Sequence, residues 1–260
     1  MSDVYVNGVR LYYEEHGRGE PILCIHGTSS SAMVWRDVAI EELARLGRTI
    51  VYDRRGCTRS ERPDPYETSV VQHAEDAAAL LEALDAVPAV VIGRSYGGET
   101  AIELALRHPE RVRALVLLEA AALTLDEEAL AWAGGLRVAV EEAAARDLDS
   151  VAEMFLRLVL GDETWESFPQ PLRQMFTDNS LAILAEFRGP WLEATSDDLS
   201  RIDVPTLLVA GLESPPAFRR VTDRMAEAIP GSRTVFVEGG HFIDPGHPEV
   251  LRFVGEVFGA

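Results

Sequence analysis

Lysine is absent from the chain: all 24 basic residues are arginine. That excludes a Schiff-base lysine, a lysine general base and the phosphate-cradling lysine of a Walker loop. Cysteine is scarce. Cys24 and Cys57 lack the paired spacing of a metal or redox motif, and Cys24, inside an apolar run, reads as a small core hydrophobe. The N-terminal "MSDVYVNGVR" has no basic stretch leading into an apolar one, so no signal peptide is expected. No apolar run approaches the length of a membrane span. Positive charge is also in deficit, with 24 basic against 43 acidic residues and a formal charge of −19. Such a surface repels phosphate backbones and anionic headgroups, so neither nucleic acid nor a membrane is an expected partner. The expectation is a soluble, cytoplasmic protein that acts on a small molecule, with its oligomeric state left open.

What is present is enough for one large domain: 260 residues, 47% of them hydrophobic. "VYVNGVRLYYEEHG" holds two alternating runs around Asn7-Gly8, a hairpin signal. "PILCIHG" is a short continuous apolar run, as in a strand buried on both faces. Helical spacing runs over 31–46 through Met33, Trp35, Val38, Leu43 and Leu46, with Gly47 as its stop. Then follow "RTIVYDRRG", a helix capped by Thr68 or Ser69 and running to about Ala86, "PAVVIGRS", the helix "YGGETAIELALRHPE" and the strand "VRALVLLEAA". The C-terminal part repeats the pattern with "VPTLLVAG", a helix over roughly 216–229, "RTVFVEGG" and a last helix from about 248. Strands alternating with helices predict an α/β fold: a mostly parallel sheet with helices on both faces.

Residues 122–200 break this alternation. They read as several helices without a strand, and they hold Trp132, Trp165 and Trp191 together with Phe155, Phe168, Phe176 and Phe187. Most of these aromatics are expected to pack the insert onto the sheet, and a few to line a pocket between the layers. The expected organisation is a core of residues 1–121 and 201–260 with a small helical cap over 122–200.

Gly93-Arg94-Ser95-Tyr96-Gly97 fits G-x-S-x-G, with Gly98 following. The pattern is weak alone, but here an apolar strand precedes it and an amphipathic helix follows. A sharp turn of this kind presents the Ser95 hydroxyl at a helix N-terminus, where free N–H groups favour developing negative charge. The neighbouring glycines relieve collisions with adjacent backbone. Together with His26-Gly27, "YDRRGCTRS" and "EGGHF", in this order and spacing, the motif resembles the α/β-hydrolase family over nearly the whole chain. Cys57 and Thr58 depart from the family's usual loop pattern, which puts the local shape of that loop in question.

The resemblance implies a nucleophile at Ser95. A serine needs a base within reach, and of the six histidines His241, at the end of the last strand, is placed beside the elbow; it is expected to act as base and then acid. His26 belongs to the oxyanion-loop motif, while His16 and His73 are expected in a hairpin and before an exposed helix. None of the six shows metal-ligand spacing. The backbone N–H groups of Thr28 and Tyr96 are the expected oxyanion donors. Arg94 either steers an anionic substrate or forms an ion pair that locks the elbow.

The third triad member is less plain. In most of the family it is an Asp three residues past the Gly that ends the penultimate strand; here that position is Ser214, which cannot carry charge. Two carboxylates can substitute. Glu213 lies one residue early, and Glu119 closes the strand after the nucleophile helix, where haloalkane dehalogenases place their acid. Glu119 is preferred, because a carboxylate within "ALVLLEAAAL" needs a partner, with Glu213 as the alternative. A serine at the elbow argues against dehalogenases and epoxide hydrolases, which attack with Asp. The expected activity is cofactor-free hydrolysis of a carboxylic ester or lactone through an acyl-enzyme, on a small to medium apolar substrate. C–C hydrolysis, perhydrolysis, lyase chemistry and a non-catalytic binding role stay open, because they use the same fold.

Overall fold

Asn7 and Gly8 take left-handed backbone at φ 47° and 77°, a turn whose twist suits the strands it joins. Those strands are β1 (Ser2–Val6) and β2 (Val9–His16). The computed structural model describes residues 2–36 and 39–259. The chain continues through β3 (Pro21–Ile25), α1 (Met33–Arg36), α2 (Ile40–Leu46), β4 (Arg48–Tyr52), α3 (Val70–Ala83), β5 (Ala89–Arg94), α4 (Tyr96–Arg107) and β6 (Val112–Leu118). Five helices follow: α5 (Glu127–Arg146), α6 (Ser150–Leu160), α7 (Asp162–Ser167), α8 (Gln170–Asp178) and α9 (Ser180–Arg188). The short α10 (Ser196–Leu199) leads to β7 (Thr206–Gly211), α11 (Pro216–Ala228), β8 (Arg233–Val237) and α12 (Pro248–Phe258).

The eight strands form one sheet in the order β1-β2-β4-β3-β5-β6-β7-β8. β1–β2 and β2–β4 pair antiparallel, and every pair from β4–β3 to β7–β8 is parallel. Parallel strands covered on both faces need apolar side chains at every position, and all six residues of β5 are buried. Their alternation divides the core into two layers. Val90 and Ile92 join Ile22, Cys24, Val116, Trp35 and Phe253 on one face. Val91 joins Leu23, Ile25, Leu115, Leu80 and Ile102 on the other. Burial pushes the Cys24 thiol up to about 12, so it acts as a core hydrophobe.

The helix expected over 31–46 is two helices. Ala39, at φ −146° and ψ −10°, leaves the helical well before α2 begins; Val38 lies outside the described residues. Trp35 and Leu43 are fully buried as their spacing implies. Ser69 caps α3 by accepting the Gln72 N–H, but α3 is not an exposed helix: His73, Ala74, Ala77, Leu80 and Leu81 are buried. Among the described residues no strand lies between β6 and β7, and no helix is long and apolar enough to cross a membrane.

Candidate active site

The parallel strands end at one edge of the sheet, and three of those ends meet there. At the first, between β5 and α4, Ser95 adopts φ 53° and ψ −120°, a region that costs a non-glycine residue energy and persists only where the surroundings hold it. The surroundings do so tightly. A Cβ on Gly93 would lie 2.4 Å from the Gly97 carbonyl oxygen, and one on Gly97 would lie 2.1 Å from that of Ile25. A Cβ on Gly98 would meet Ala120 at 2.5 Å. The glycines of the motif are therefore there for close approach, as their spacing predicts. The Ser95 N–H donates to the Leu118 carbonyl at 3.1 Å, and its own carbonyl accepts from Gly98 at 2.8 Å and Ala121 at 3.1 Å.

The second end is that of β6. Glu119 also has positive φ, 46°, and is buried at 1% exposure. Its two carboxylate oxygens are both used. Oε1 accepts the Gly211 N–H at 2.6 Å, and Oε2 meets His241 Nδ1 at 2.6 Å. The third end is β8, whose following loop carries His241 beneath Phe218; the two rings stack at 3.8 Å between centroids. With Nδ1 held by the carboxylate, Nε2 is the nitrogen left for proton transfer. Glu213 is exposed, with its N–H bonded to the Gly239 carbonyl at 3.0 Å. The structure brings Glu119, not Glu213, to the imidazole.

Ser95 and His241 line one cavity together with Gly27 and Thr28. Among the described residues, neither the Thr28 nor the Tyr96 N–H has a hydrogen-bond acceptor, and Tyr96 opens α4. The loop that carries Thr28 is fixed from behind by His26. That ring is fully buried; it accepts the Arg54 N–H on Nε2 at 2.9 Å, so Nδ1 carries the proton toward the Gly27 carbonyl, also 2.9 Å away. Burial, with Arg54 adding to it, holds His26 well below the usual histidine range.

Arg94 forms no ion pair among the described residues, contrary to one expectation. Its guanidinium donates to the Ile243 carbonyl at 2.5 Å and lies between the rings of Trp35 and Phe242, 4.8 and 4.5 Å from their centroids. Burial lowers it to about 10. The lock on the elbow is real but is made by a carbonyl and two aromatic faces. The departure from the family pattern at Cys57 and Thr58 is accommodated by backbone: Cys57 is buried, Thr58 takes φ 44°, and the Thr58 N–H donates to Asn179 at 2.8 Å.

A second cavity shares Ser95 and Thr28 with the first and runs beneath α5 and α9. Its apolar walls include Trp132, Leu136, Phe155, Phe187, Trp191 and Phe218, so part of the aromatic set of 122–200 does line a pocket. Trp165 and Phe168 instead pack on each other and on Phe176, which itself lines the first cavity. Sequence reasoning missed three polar residues here. Arg54, fully buried, donates to the His26 and Gly27 carbonyls at 3.0 and 2.9 Å and to Glu186 at 2.7 Å. Glu186, on α9, and Glu99, on α4, both reach the cavity. The available signal was Glu99, four residues past Ser95 and so on the same helix face as the nucleophile.

A model of the alpha/beta hydrolase fold matches residues 20–247. A 2-hydroxymuconate semialdehyde hydrolase of Pseudomonas sp. (strain CF600) is 29% identical over 94% of this chain and 88% of the relative. Among solved structures, a thermophilic esterase from Thermogutta terrifontis has 26% identity and a TM-score of 0.77, covering 100% of this chain and 97% of its own. Est816, described as an N-acyl homoserine lactone degrading enzyme, has 27% identity and a TM-score of 0.66, covering 99% of both chains. The strand order, the strained serine elbow and these matches agree, and the chain belongs to the alpha/beta hydrolase fold family, a family of hydrolases.

Proposed function

We propose that this protein is a serine hydrolase that cleaves a carboxylic ester or lactone through an acyl-enzyme on Ser95. The observation that carries the reading is the 2.6 Å contact of Glu119 with His241 Nδ1, at a cavity that His241 shares with Ser95. His241 Nε2 takes the Ser95 proton as the hydroxyl attacks the carbonyl carbon, and Glu119 stabilises the imidazolium that forms. The Thr28 and Tyr96 N–H groups bind the oxyanion; one such donor is worth on the order of 10²–10³ in rate. His241 then protonates the leaving alcohol, and water, activated by the same base, releases the acid and restores Ser95.

Residues 122–200 serve as the cap of this site, with the hydrolase core in 1–121 and 201–260. The aromatic cavity beneath them fits a small to medium, largely apolar substrate. The esterase and the lactone-degrading enzyme among the similar structures support ester cleavage, and the 2-hydroxymuconate semialdehyde hydrolase keeps C–C hydrolysis by the same residues as the second reading.

The test is intact mass after incubation with a fluorophosphonate, for the wild type and for Ser95→Ala. One adduct in the wild type, lost in the variant, is expected. Folded wild type without an adduct would sink the acyl-enzyme mechanism and leave the lyase or binding readings.

A further inference from the structure

Three side-chain oxygens around the second cavity have no hydrogen-bond partner among the described residues: Tyr96 Oη, Glu99 Oε2 and Glu186 Oε2. All three residues line the cavity that Ser95 opens onto. Tyr96 is 6% exposed, Glu99 5% and Glu186 2%. Buried oxygens left unpaired cost stability, on the order of 1–3 kcal/mol each, and a buried carboxylate costs more. An apolar pocket for an apolar ester needs none of them.

The charges are also uneven. Arg54 is the ion-pair partner of Glu186, which uses one carboxylate oxygen on it; among the described residues Glu99 has no ion-pair partner of its own. With both carboxylates ionised, the group of Arg54, Glu186 and Glu99 carries one negative charge in excess. Burial pushes the Glu99 carboxyl well above its ordinary range, and Glu186 pushes it the same way against Arg54. The excess is therefore relieved by a proton when no cation is at hand. The same cavity is lined by Trp132 and Phe187, rings whose faces attract a cation.

The geometry points to an ammonium subsite: Tyr96, Glu99 and Glu186 hold a protonated primary amine borne by an otherwise apolar substrate, one helical turn from Ser95. An ammonium has three N–H donors, one for each unpartnered oxygen. Its positive charge neutralises the excess on the carboxylates, and its apolar arm packs on the aromatic walls. Glu99 stands four residues beyond Ser95 on α4, about 6 Å along the helix axis, so the amine sits a few bonds from the scissile carbonyl. The substrate class is thus an ester or lactone with an amino group near the acyl carbon, an inference that rests on the hydrolase reading above. As the amine enters, the Glu99 proton leaves to solvent.

The test uses Ser95→Ala protein, so that no turnover is needed, and the matched probes 2-phenylethylamine and 2-phenylethanol. Trp132 and Trp191 line the cavity, and their fluorescence reads occupancy. The amine is expected to bind about tenfold tighter than the alcohol, and Glu99→Gln to reduce that ratio to about one. Equal binding of the two probes, or an amine preference that survives Glu99→Gln, would overturn the assignment. Should Glu99→Gln fail to fold, calorimetry of amine binding to the Ser95→Ala protein in buffers of different ionisation enthalpy decides: release of a proton supports the subsite, and none refutes it. A fluorophosphonate adduct without amine preference sinks this inference alone. Amine preference without an adduct sinks the hydrolase reading, and with it the ester or lactone as substrate, but leaves the ammonium subsite standing.

Discussion

Glu119 and His241, 122 positions apart in the chain, meet at 2.6 Å because β6 and the loop after β8 end on the same edge of one parallel sheet. Glu119 is held on its other oxygen by the Gly211 N–H at 2.6 Å, so the carboxylate has little freedom to turn away from the ring. Glu119→Gln keeps the shape and removes the charge, and can present an N–H where an acceptor is needed. We expect kcat on an activated ester to fall by about 10³–10⁴-fold with KM little changed. Glu213→Gln, at an exposed position, should stay within about twofold of the wild type. Steady-state kinetics on both variants, with circular dichroism to verify folding, checks the pair; comparable losses would remove Glu119 from the mechanism.

The glycines of the chain divide into two kinds by what surrounds them. A Cβ on Gly97 would sit 2.1 Å from the Ile25 carbonyl oxygen, which belongs to a central strand and cannot give way. Gly135, within α5, has nothing within 4 Å of its Cβ position. Gly97→Ala should therefore destabilise by about 3 kcal/mol, at the upper end of overpacking costs. Gly135→Ala should stabilise by about 0.8 kcal/mol through helix propensity. Urea denaturation of the two variants measures both signs. A neutral Gly97→Ala would mean that the elbow can relax, and the account of its strain would fail.

The sheet was legible in the sequence because each central strand needs apolar residues on both faces. "VVIG" and "LLVAG" have no other comfortable place, and the glycines around Ser95 have no other use. The pairing of Glu119 with His241 followed from the cost of a charge in a buried strand. What was not legible came from charged residues whose neighbours lie far off in sequence. Arg54 and Glu186 are 132 positions apart, and each by itself looks like an ordinary solvated charge. Glu99 could be placed near Ser95 by its spacing on α4, but its proximity to Glu186 of α9 in one cavity could not. Arg94 was weighed as an ion pair because a charge beside a nucleophile invites one. The packing of Trp35 and Phe242 on its two faces depends on loops that no periodicity describes.

His26 and His73 tie stability to pH. His26 is fully buried, and His73 accepts on Nε2 from Thr68 at 2.7 Å. Burial, with Arg54 adding to it, lowers both rings well below 6.5. The folded protein keeps them neutral while the unfolded chain takes up a proton on each below pH 6.5, so the stability present above 6.5 is lost as pH falls. Each histidine removes about 1.4 kcal/mol per pH unit once its unfolded form is protonated. Glu99, raised by burial, acts in the opposite sense, so the cleanest measure is a difference. Between pH 7.5 and 5.5 the wild type should lose about 1.4 kcal/mol more than His73→Gln. Parallel denaturation curves at the two pH values would show that the His73 ring does not carry the effect.

Arg54 has two duties that one pair of variants can separate. It neutralises Glu186 at 2.7 Å, and it ties down the carbonyls of His26 and Gly27, which precede the Thr28 N–H. Arg54→Met leaves a buried carboxylate without its cation and should cost about 3–5 kcal/mol. Adding Glu186→Leu removes the stranded charge, and most of that loss should return. The loop carbonyls, however, stay without their donor in the double variant. The Thr28 N–H then loses its exact placement, and kcat on an activated ester should remain about tenfold below the wild type. Chemical denaturation and steady-state kinetics on the single and double variants read the two duties independently. A double variant no more stable than the single one would mean that the guanidinium's bonds to the loop, not the ion pair, carry the stability. Full recovery of kcat together with stability would mean that Arg54 holds the loop for folding and has no part in placing the oxyanion donor.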